Sequence, residues 1–187
     1  MRKDAFYTRI EAELYLMRIY AIETKENQKA FIISDHLHKT FPNNPYFHRF
    51  YARMLYSTGK MTELKQASEE ILARIDAGKM GYEEISGRYA AYYLAYWYDS
   101  PRRDQNKALE YYERSIEFSE KIEAFGSGYY HISLSRLAEK AAKDKDYELA
   151  MSYYDKILQH ADKKMSYYKT AKKFKKDYKK KYRKGKS

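Results

Sequence analysis

The sequence predicts an all-α protein in which antiparallel helix pairs stack on one another. Apolar residues recur at helical spacing almost throughout, and no segment alternates with the two-residue period of a strand. Only seven glycines and three prolines occur among 187 residues, which leaves little material for long loops or for the turns of a β-sandwich. Tyrosine accounts for 23 residues, and its hydroxyl group favours packing surfaces that lie close to solvent.

The apolar periodicity predicts nine helices separated by short turns. In chain order they span residues 4–23, 27–41, 45–58, 61–76, 82–99, 103–122, 128–144, 146–161 and 163–182.

The stretch FPNNP, residues 41–45, is predicted to form a tight turn between the second and third helices. Pro42 ends the second helix because the residue before a proline is driven out of the helical region. Asn44 can cap the third helix, and Pro45 suits the first turn of that helix, where its missing N–H costs nothing. The stretch is therefore interpreted as an ordered turn rather than a linker.

Internal repetition links the later helices. Residues 108–116, ALEYYERSI, and residues 150–158, AMSYYDKIL, share an alanine, a Tyr-Tyr pair, an acid and a base. Each alanine allows a neighbouring helix to come close, and Ala30 and Leu64 occupy the equivalent place in earlier units. The first helix of each unit carries a matching pair: Met17-Arg18, Tyr51-Ala52, Leu94-Ala95 and Leu137-Ala138.

This pattern resembles the tetratricopeptide repeat family, whose units are helix-turn-helix pairs of about 34 residues. The resemblance covers residues 10–161 as about four units, and it implies a right-handed α-solenoid with the last helix as a C-terminal cap. The chain departs from the family pattern at Arg18, where a small residue is expected, and at Leu64, where alanine is expected. Ser34 and Ser68 replace an aromatic residue of the second helix.

No catalytic, metal or cofactor site is expected. The five histidines lack the HExxH spacing, and His36 and His38 point to different sides of one helix. Because the chain has no cysteine, disulfides and thiolate metal sites are excluded. The terminal GKS, residues 185–187, lacks the upstream glycine of a phosphate-binding loop, since Lys180 occupies that position.

No run of 18 apolar residues occurs, so no transmembrane helix is predicted. The charged N-terminal segment does not have the pattern of a signal peptide. A cytoplasmic location is the default expectation, and a periplasmic or exported location would require a longer precursor. The Tyr-rich helices leave self-association open as a further expectation.

The first helices of the units are predicted to form a binding groove. In the third predicted helix, tyrosines and arginines fall in one stripe opposite Tyr51, Met54 and Leu55. The resemblance implies that such helices line a concave groove that holds a peptide or partner protein, so we expect a non-enzymatic interaction scaffold. Tyr and Arg are the residue types that dominate binding hot spots. The expected groove residues are Tyr15, Tyr46, Arg49, Arg53, Tyr56, Tyr89, Tyr92 and Tyr96.

An alternative interpretation is that these tyrosines pack between units and that the arginines are merely solvated. About half of the tyrosines are expected to be structural, since stacked helix pairs bury much of this face. Family members that grip a C-terminal carboxylate use Lys and Asn where this chain has Tyr15, Ile19, Arg49 and Arg53. That clamp is not reproduced, although the two arginines suit an acidic peptide.

The basic charge is confined to the C-terminal part of the chain. The net charge is +11, and residues 163–187 hold 13 Lys and Arg against the single acid Asp177, so residues 1–162 are nearly neutral. We therefore divide the chain into a helical repeat domain, residues 1–162, and a basic capping helix and tail, residues 163–187. One stripe of this helix is expected to pack on the preceding unit: Tyr167, Ala171, Phe174 and Tyr178.

The basic tail is a second candidate site. Its lysines and aromatic residues are suited to neutralising phosphates and stacking on bases, or to an anionic membrane surface. The simpler alternative is a solubilising cap that frays beyond Lys180. The candidate anion-binding residues are Lys172, Lys173, Lys175, Lys176, Lys179, Lys180, Lys181 and Arg183.

Overall fold

The computed structural model describes residues 3–101 and 103–182, and this part of the chain contains nine α-helices, one π-helical turn and no strand. The helices are α1 (Lys3–Arg18), continued by the π-helical turn Ile19–Glu23, then α2 (Asn27–Thr40), α3 (Pro45–Ser57), α4 (Met61–Asp76), α5 (Glu84–Tyr98), α6 (Gln105–Lys121), α7 (Gly128–Lys143), α8 (Tyr147–His160) and α9 (Ser166–Tyr182). The all-α prediction is confirmed, and when the π-helical turn is counted with α1, each helix begins and ends within three residues of its predicted boundaries.

The turn between α2 and α3 has the predicted cap. The side chain of Asn44 accepts hydrogen bonds from two backbone N–H groups in the first turn of α3, at 3.0 and 3.3 Å, and Pro45 is the first residue of that helix. Arg74 of α4 donates a hydrogen bond to the carbonyl oxygen of Pro42 at 2.7 Å. The turn is therefore an ordered part of the helical body.

Each helix packs against the next one along the chain, from α1 and α2 through to α8 and α9. From α3 onwards the odd-numbered helices also contact one another in succession: α3 packs on α5, α5 on α7 and α7 on α9. Helix α5 therefore has neighbours on four sides: α3, α4, α6 and α7.

The apolar interior consists of two clusters that meet at α3. The smaller cluster joins α1, α2 and α3 through Met17, Ala30, Leu37, Phe47, Phe50 and Met54. The larger cluster begins with Ala52 and Leu55 on another side of α3 and continues as far as Ala171 of α9. Small residues stand at the helix contacts, as the repeated pattern predicted, and the following are buried: Ala30, Ala52, Ala95, Ala108, Ala138 and Ala150.

The ring of Phe118 on α6 packs directly over Gly87 of α5. A β-carbon placed on Gly87 would lie 2.6 Å from this ring, a distance that atoms in contact do not adopt. The absence of a side chain at Gly87 therefore leaves room for the Phe118 ring in its present position.

Helix α9 packs on α8 and α7 through the predicted stripe. Ala171 is fully buried, the ring of Phe174 lies 4.7 Å from that of Tyr154, and the ring of Tyr167 stacks on His131 at 5.0 Å. The aromatic residues of this helix thus cover the end of the larger cluster.

Candidate functional site

A cleft of about 350 Å³ opens between α1, α3 and α5, and we call it the arginine cleft. It brings together four of the predicted groove residues: Tyr46, Arg49, Arg53 and Tyr89. Four further residues, which the sequence did not single out for the groove, complete its lining: Arg18, Ile22, Phe50 and Ile85.

The helical period of α3 explains why its side chains meet at this cleft. Positions 46, 49, 50 and 53 fall within roughly a third of the helix circumference at 3.6 residues per turn. The other sides of α3 carry Ala52, Met54 and Leu55, which are buried in the two apolar clusters. Burial of these apolar residues therefore turns both arginines towards α1 and α5.

Arg49 is half-buried and is held by neutral groups. Its Nη1 donates a hydrogen bond to the Oγ of Ser86 at 3.2 Å, and its guanidinium carbon lies 5.6 Å from the ring centre of Tyr46. Burial lowers the pKa of the Arg49 guanidinium, and the charge of Arg88 acts in the same direction. The guanidinium nevertheless stays protonated at neutral pH, because arginine side chains are not deprotonated in proteins.

The arginine cleft has an excess of positive charge. Among the residues that the structure describes, no carboxylate lies within salt-bridge distance of Arg18, Arg49 or Arg53. The guanidinium of Arg53 lies 5.7 Å from the ring of Phe50, a cation–π contact that leaves the charge uncompensated. By contrast, Arg74, Arg114 and Arg136 each pair with an acid.

Beyond the arginine cleft lies a tyrosine cluster, made of Tyr56, Tyr89, Tyr92, Tyr93, Tyr96 and Tyr129. The hydroxyl groups of Tyr93 and Tyr129 are 3.1 Å apart, and burial raises the pKa of both phenols. Tyr96 is 42% exposed, whereas Tyr56, Tyr89 and Tyr129 are half-buried, so these four present the accessible surface of the cluster.

Tyr92 requires a correction. It was predicted to line the groove, but its side chain is only 4% exposed and belongs to the larger apolar cluster. The cause is the central place of α5, whose neighbours α6 and α7 cover Tyr92 with the rings of Tyr112 and Tyr129. We therefore leave Tyr92 out of the candidate site.

Tyr15 lies at an adjoining cleft of about 200 Å³ and is 65% exposed. Arg18 and Ile22 line both clefts, so Tyr15 stands beside the arginine cleft without entering it. Ile22 and Ile85 are exposed apolar residues at the rim. Ile85 precedes Tyr89 by one helical turn, and extending the predicted stripe by that turn would have found it.

Helix α9 separates its aromatic residues from its lysines. Lys169, Lys172, Lys173, Lys176, Lys179 and Lys180 are exposed, and we call this set the lysine face. Their positions span roughly a third of the helix circumference. Lys175 instead pairs with Asp155 at 2.5 Å. The side chain of Lys181 and all of Arg183, which were also predicted to bind anions, lie outside the described residues.

A histidine pair, fully buried at His48 of α3 and half-buried at His38 of α2, lies on another side of α3. His48 is fully buried, its Nδ1 lies 3.2 Å from the hydroxyl of Tyr82, and its ring stacks on that of His38 at 4.4 Å. Burial lowers the pKa of both imidazoles, that of His48 to about 3. Both side chains are therefore neutral near pH 7 and act as packing groups.

Within the described parts of the chain, no group of three or more His, Asp or Glu side chains could hold a metal ion. No helix there is both long and apolar enough to cross a membrane. Comparison with protein-family models, with curated proteins and with solved structures finds no match to this chain.

Proposed function

We propose that this protein is a non-enzymatic interaction scaffold, a right-handed α-solenoid that holds an acidic segment of a partner protein in the arginine cleft. The observation that carries the proposal is the set of three arginines without an acidic partner, beside exposed isoleucine and tyrosine side chains. A partner carboxylate would supply the missing counter-charge, and hydrogen bonds between charged groups are stronger than neutral ones.

The succession of odd-numbered helices supports the solenoid arrangement. In stacked helix pairs each unit contacts its neighbours, and the first helices of successive units form one continuous surface. Here α3, α5 and α7 pack in series, and the arginine cleft and the tyrosine cluster lie along them. The proposed groove therefore runs from Tyr15 past the arginine cleft to Tyr96.

The apolar rim suggests what flanks the acidic residue in the partner. Ile22 and Ile85 are each nearly half exposed, and the largely buried Phe50 also lines the cleft. Covering such side chains yields about 25 cal/mol for each Å² of apolar surface removed from water. A segment with apolar residues on both sides of an acid would match this surface.

The test is a selection of peptides from a random displayed library on the immobilised full chain, followed by affinity measurements on the selected peptides. We expect peptides that combine acidic and apolar residues. We also expect the Arg49→Ala/Arg53→Ala variant to bind them at least about tenfold more weakly, a loss of about 1.4 kcal/mol. Helix content, measured by circular dichroism, should stay unchanged, because neither arginine has an ion pair to lose among the described residues.

The matched control is Lys172→Ala/Lys176→Ala, which removes the same charge at the same spacing on α9. Peptides that bind the arginine variant as tightly as the unmodified chain would place the interaction elsewhere. Loss of peptide binding in both the arginine and the lysine variant would show that the peptides respond only to the net charge of the protein.

The lysine face supports a second function, attachment to an anionic membrane surface. Its six lysines extend over about 16 Å of one side of a straight helix, at 1.5 Å per residue. All six lysines can contact a flat anionic surface at the same time. Each lysine near such a surface contributes about 1 kcal/mol of favourable binding free energy. The face holds lysine only, whereas nucleic-acid recognition favours arginine, and the neighbouring aromatic rings of Tyr167 and Phe174 are engaged in packing.

We expect the full chain to sediment with vesicles that contain phosphatidylserine and phosphatidylcholine at low salt, and to remain in solution with phosphatidylcholine alone. The variant Lys172→Gln/Lys173→Gln/Lys176→Gln/Lys179→Gln should lose most of this binding, whereas Arg49→Ala/Arg53→Ala should retain it. Equal sedimentation of the lysine variant would contradict the assignment. Binding to duplex RNA without binding to vesicles would replace the membrane by nucleic acid.

A further inference from the structure

The arginines of the cleft leave most of their N–H donors without a hydrogen-bond partner among the residues that the structure describes, unlike ordinary surface arginines. An arginine side chain has five N–H donors in a planar fork. Arg49 directs one of them to Ser86, and no hydrogen bond from Arg18 or Arg53 is found within the described part of the chain. Most of the donors at this cleft are therefore free for a ligand with several acceptor oxygens.

The charges are also held close together. Arg49 and Arg53 are four residues apart on α3, which places them about 6 Å apart along the helix axis. Arg18 reaches the same cleft from α1, and Arg88 of α5 is near enough for its charge to act on Arg49. Like charges at this spacing repel each other, so the free protein carries an unfavourable interaction that a bound anion would relieve.

Arg88 adds a buried donor to this group. Its Nε is buried and has no hydrogen-bond partner among the described residues, and its guanidinium carbon lies 5.0 Å from the ring of Tyr89. A buried polar group without a partner is unusual and needs an explanation. Its position next to a lining residue of the arginine cleft links it to the same concentration of positive charge.

We propose that the arginine cleft is a subsite for a phosphoryl group, carried on the segment that the scaffold binds. A phosphate monoester brings nearly two negative charges and three strong acceptor oxygens in one small group, and clusters of arginine are a recurring way to recognise it. Its charge matches three or four guanidinium groups better than a single carboxylate does. The inference rests on the proposed function, since it specifies the chemistry of the segment in the same cleft.

Two adjacent carboxylates could supply a similar charge, and the test separates the two sources. Inorganic phosphate and hexaglutamate are titrated in turn, at constant ionic strength, into the full chain labelled with ¹⁵N at arginine. The readout is the Nε–H resonances, which are assigned by comparison with the single variants Arg18→Gln, Arg49→Gln and Arg53→Gln.

We expect phosphate to move the resonances of Arg49 and Arg53 along saturable curves. The Arg49→Gln/Arg53→Gln variant should bind phosphate at least fivefold more weakly, as judged from the remaining Arg18 resonance. The control Lys163→Gln/Lys164→Gln, which removes two exposed positive charges outside both the arginine cleft and the lysine face, should bind it as the unmodified chain does. Shifts that rise without saturation, or equal affinity in both variants, would overturn the proposal. Saturation by hexaglutamate alone would replace the phosphoryl group by carboxylates.

A second measurement separates this inference from the proposed function. A peptide selected on the chain is compared with the same peptide in which phosphoserine replaces the acidic residue. The phosphoserine form should bind at least tenfold more tightly than the acidic form to the unmodified chain, and the two forms should differ little on the arginine variant. If both forms bind equally, the phosphoryl subsite is wrong while the scaffold remains. If the library yields no peptide that depends on the cleft, the scaffold itself is wrong.

Discussion

Replacing Tyr93 by alanine is expected to lower the free energy of unfolding by about 3–5 kcal/mol, the range for removing a large buried aromatic side chain. Tyr93 has no exposed surface and lies on α5, the helix with four neighbours. Its ring centre is 5.2 Å from that of Tyr56 on α3 and 5.8 Å from that of Tyr129 on α7. The substitution therefore opens a cavity where three odd-numbered helices meet.

The measurement is urea unfolding, followed both by circular dichroism and by the fluorescence of Trp97, the single tryptophan of the chain. The matched variant Tyr93→Phe keeps the ring and removes only the hydrogen bond to the Tyr129 hydroxyl, so we expect it to cost about 1 kcal/mol. A loss below about 1 kcal/mol for Tyr93→Ala would show that the neighbouring tyrosines close the cavity.

Acidification is expected to destabilise the protein through His48. The pKa of His48 is about 3 in the folded chain, whereas an exposed imidazole has a pKa of 6.5. Between these values the unfolded state binds the proton and the folded state does not, so stability is complete above pH 6.5 and falls as the pH is lowered. Linkage gives a loss of about 2 kcal/mol between pH 8 and pH 5.

The surroundings of His48 explain why no acid offsets this effect. Burial is the largest cause of the lowered pKa, and the charges of His38 and Arg74 act in the same direction. Glu70 lies 3.9 Å from the Nε2 of His48, but its carboxylate is already paired with Arg74. Tyr82 contributes a neutral hydroxyl at the Nδ1 of His48.

Urea unfolding at several pH values between 5 and 8 measures this loss. The variant His48→Gln cannot titrate at this position, so its stability should depend less steeply on pH over the same range. Identical slopes for the unmodified chain and for His48→Gln would contradict the assignment.

The helices could be predicted from the sequence because the signals that define them are local. The cap at Asn44 and Pro45 and the alanines at the helix contacts depend on spacing within one helix or one turn. The same reasoning placed Arg49 and Arg53 on one side of α3, since a stripe on one helix is fixed by the helical period. The helical period also explains why the exposed lysines of α9 lie on a different side of the helix from its packed aromatic residues.

What the sequence could not provide was the relation between helices. Tyr92 and Tyr89 lie on the same stripe of α5, and only the packing of α6 and α7 decides that Tyr92 is buried. The meeting of Arg18 with the arginines of α3 likewise depends on how α1 crosses α3. His48 has no distinguishing neighbour in sequence, and its low pKa arises from burial beside α2 and Tyr82.

The two apolar clusters give the arginine cleft a mechanical role. One cluster holds α1 and α2 to α3, the other holds α3 to the rest of the molecule, and α3 is the seam between them. The arginine cleft lies across this seam, with Arg18 on one side and Ile85 and Tyr89 on the other. A ligand that contacts both sides would hold α1 and α2 against the rest of the molecule, so that binding would restrict the motion of this N-terminal helix pair.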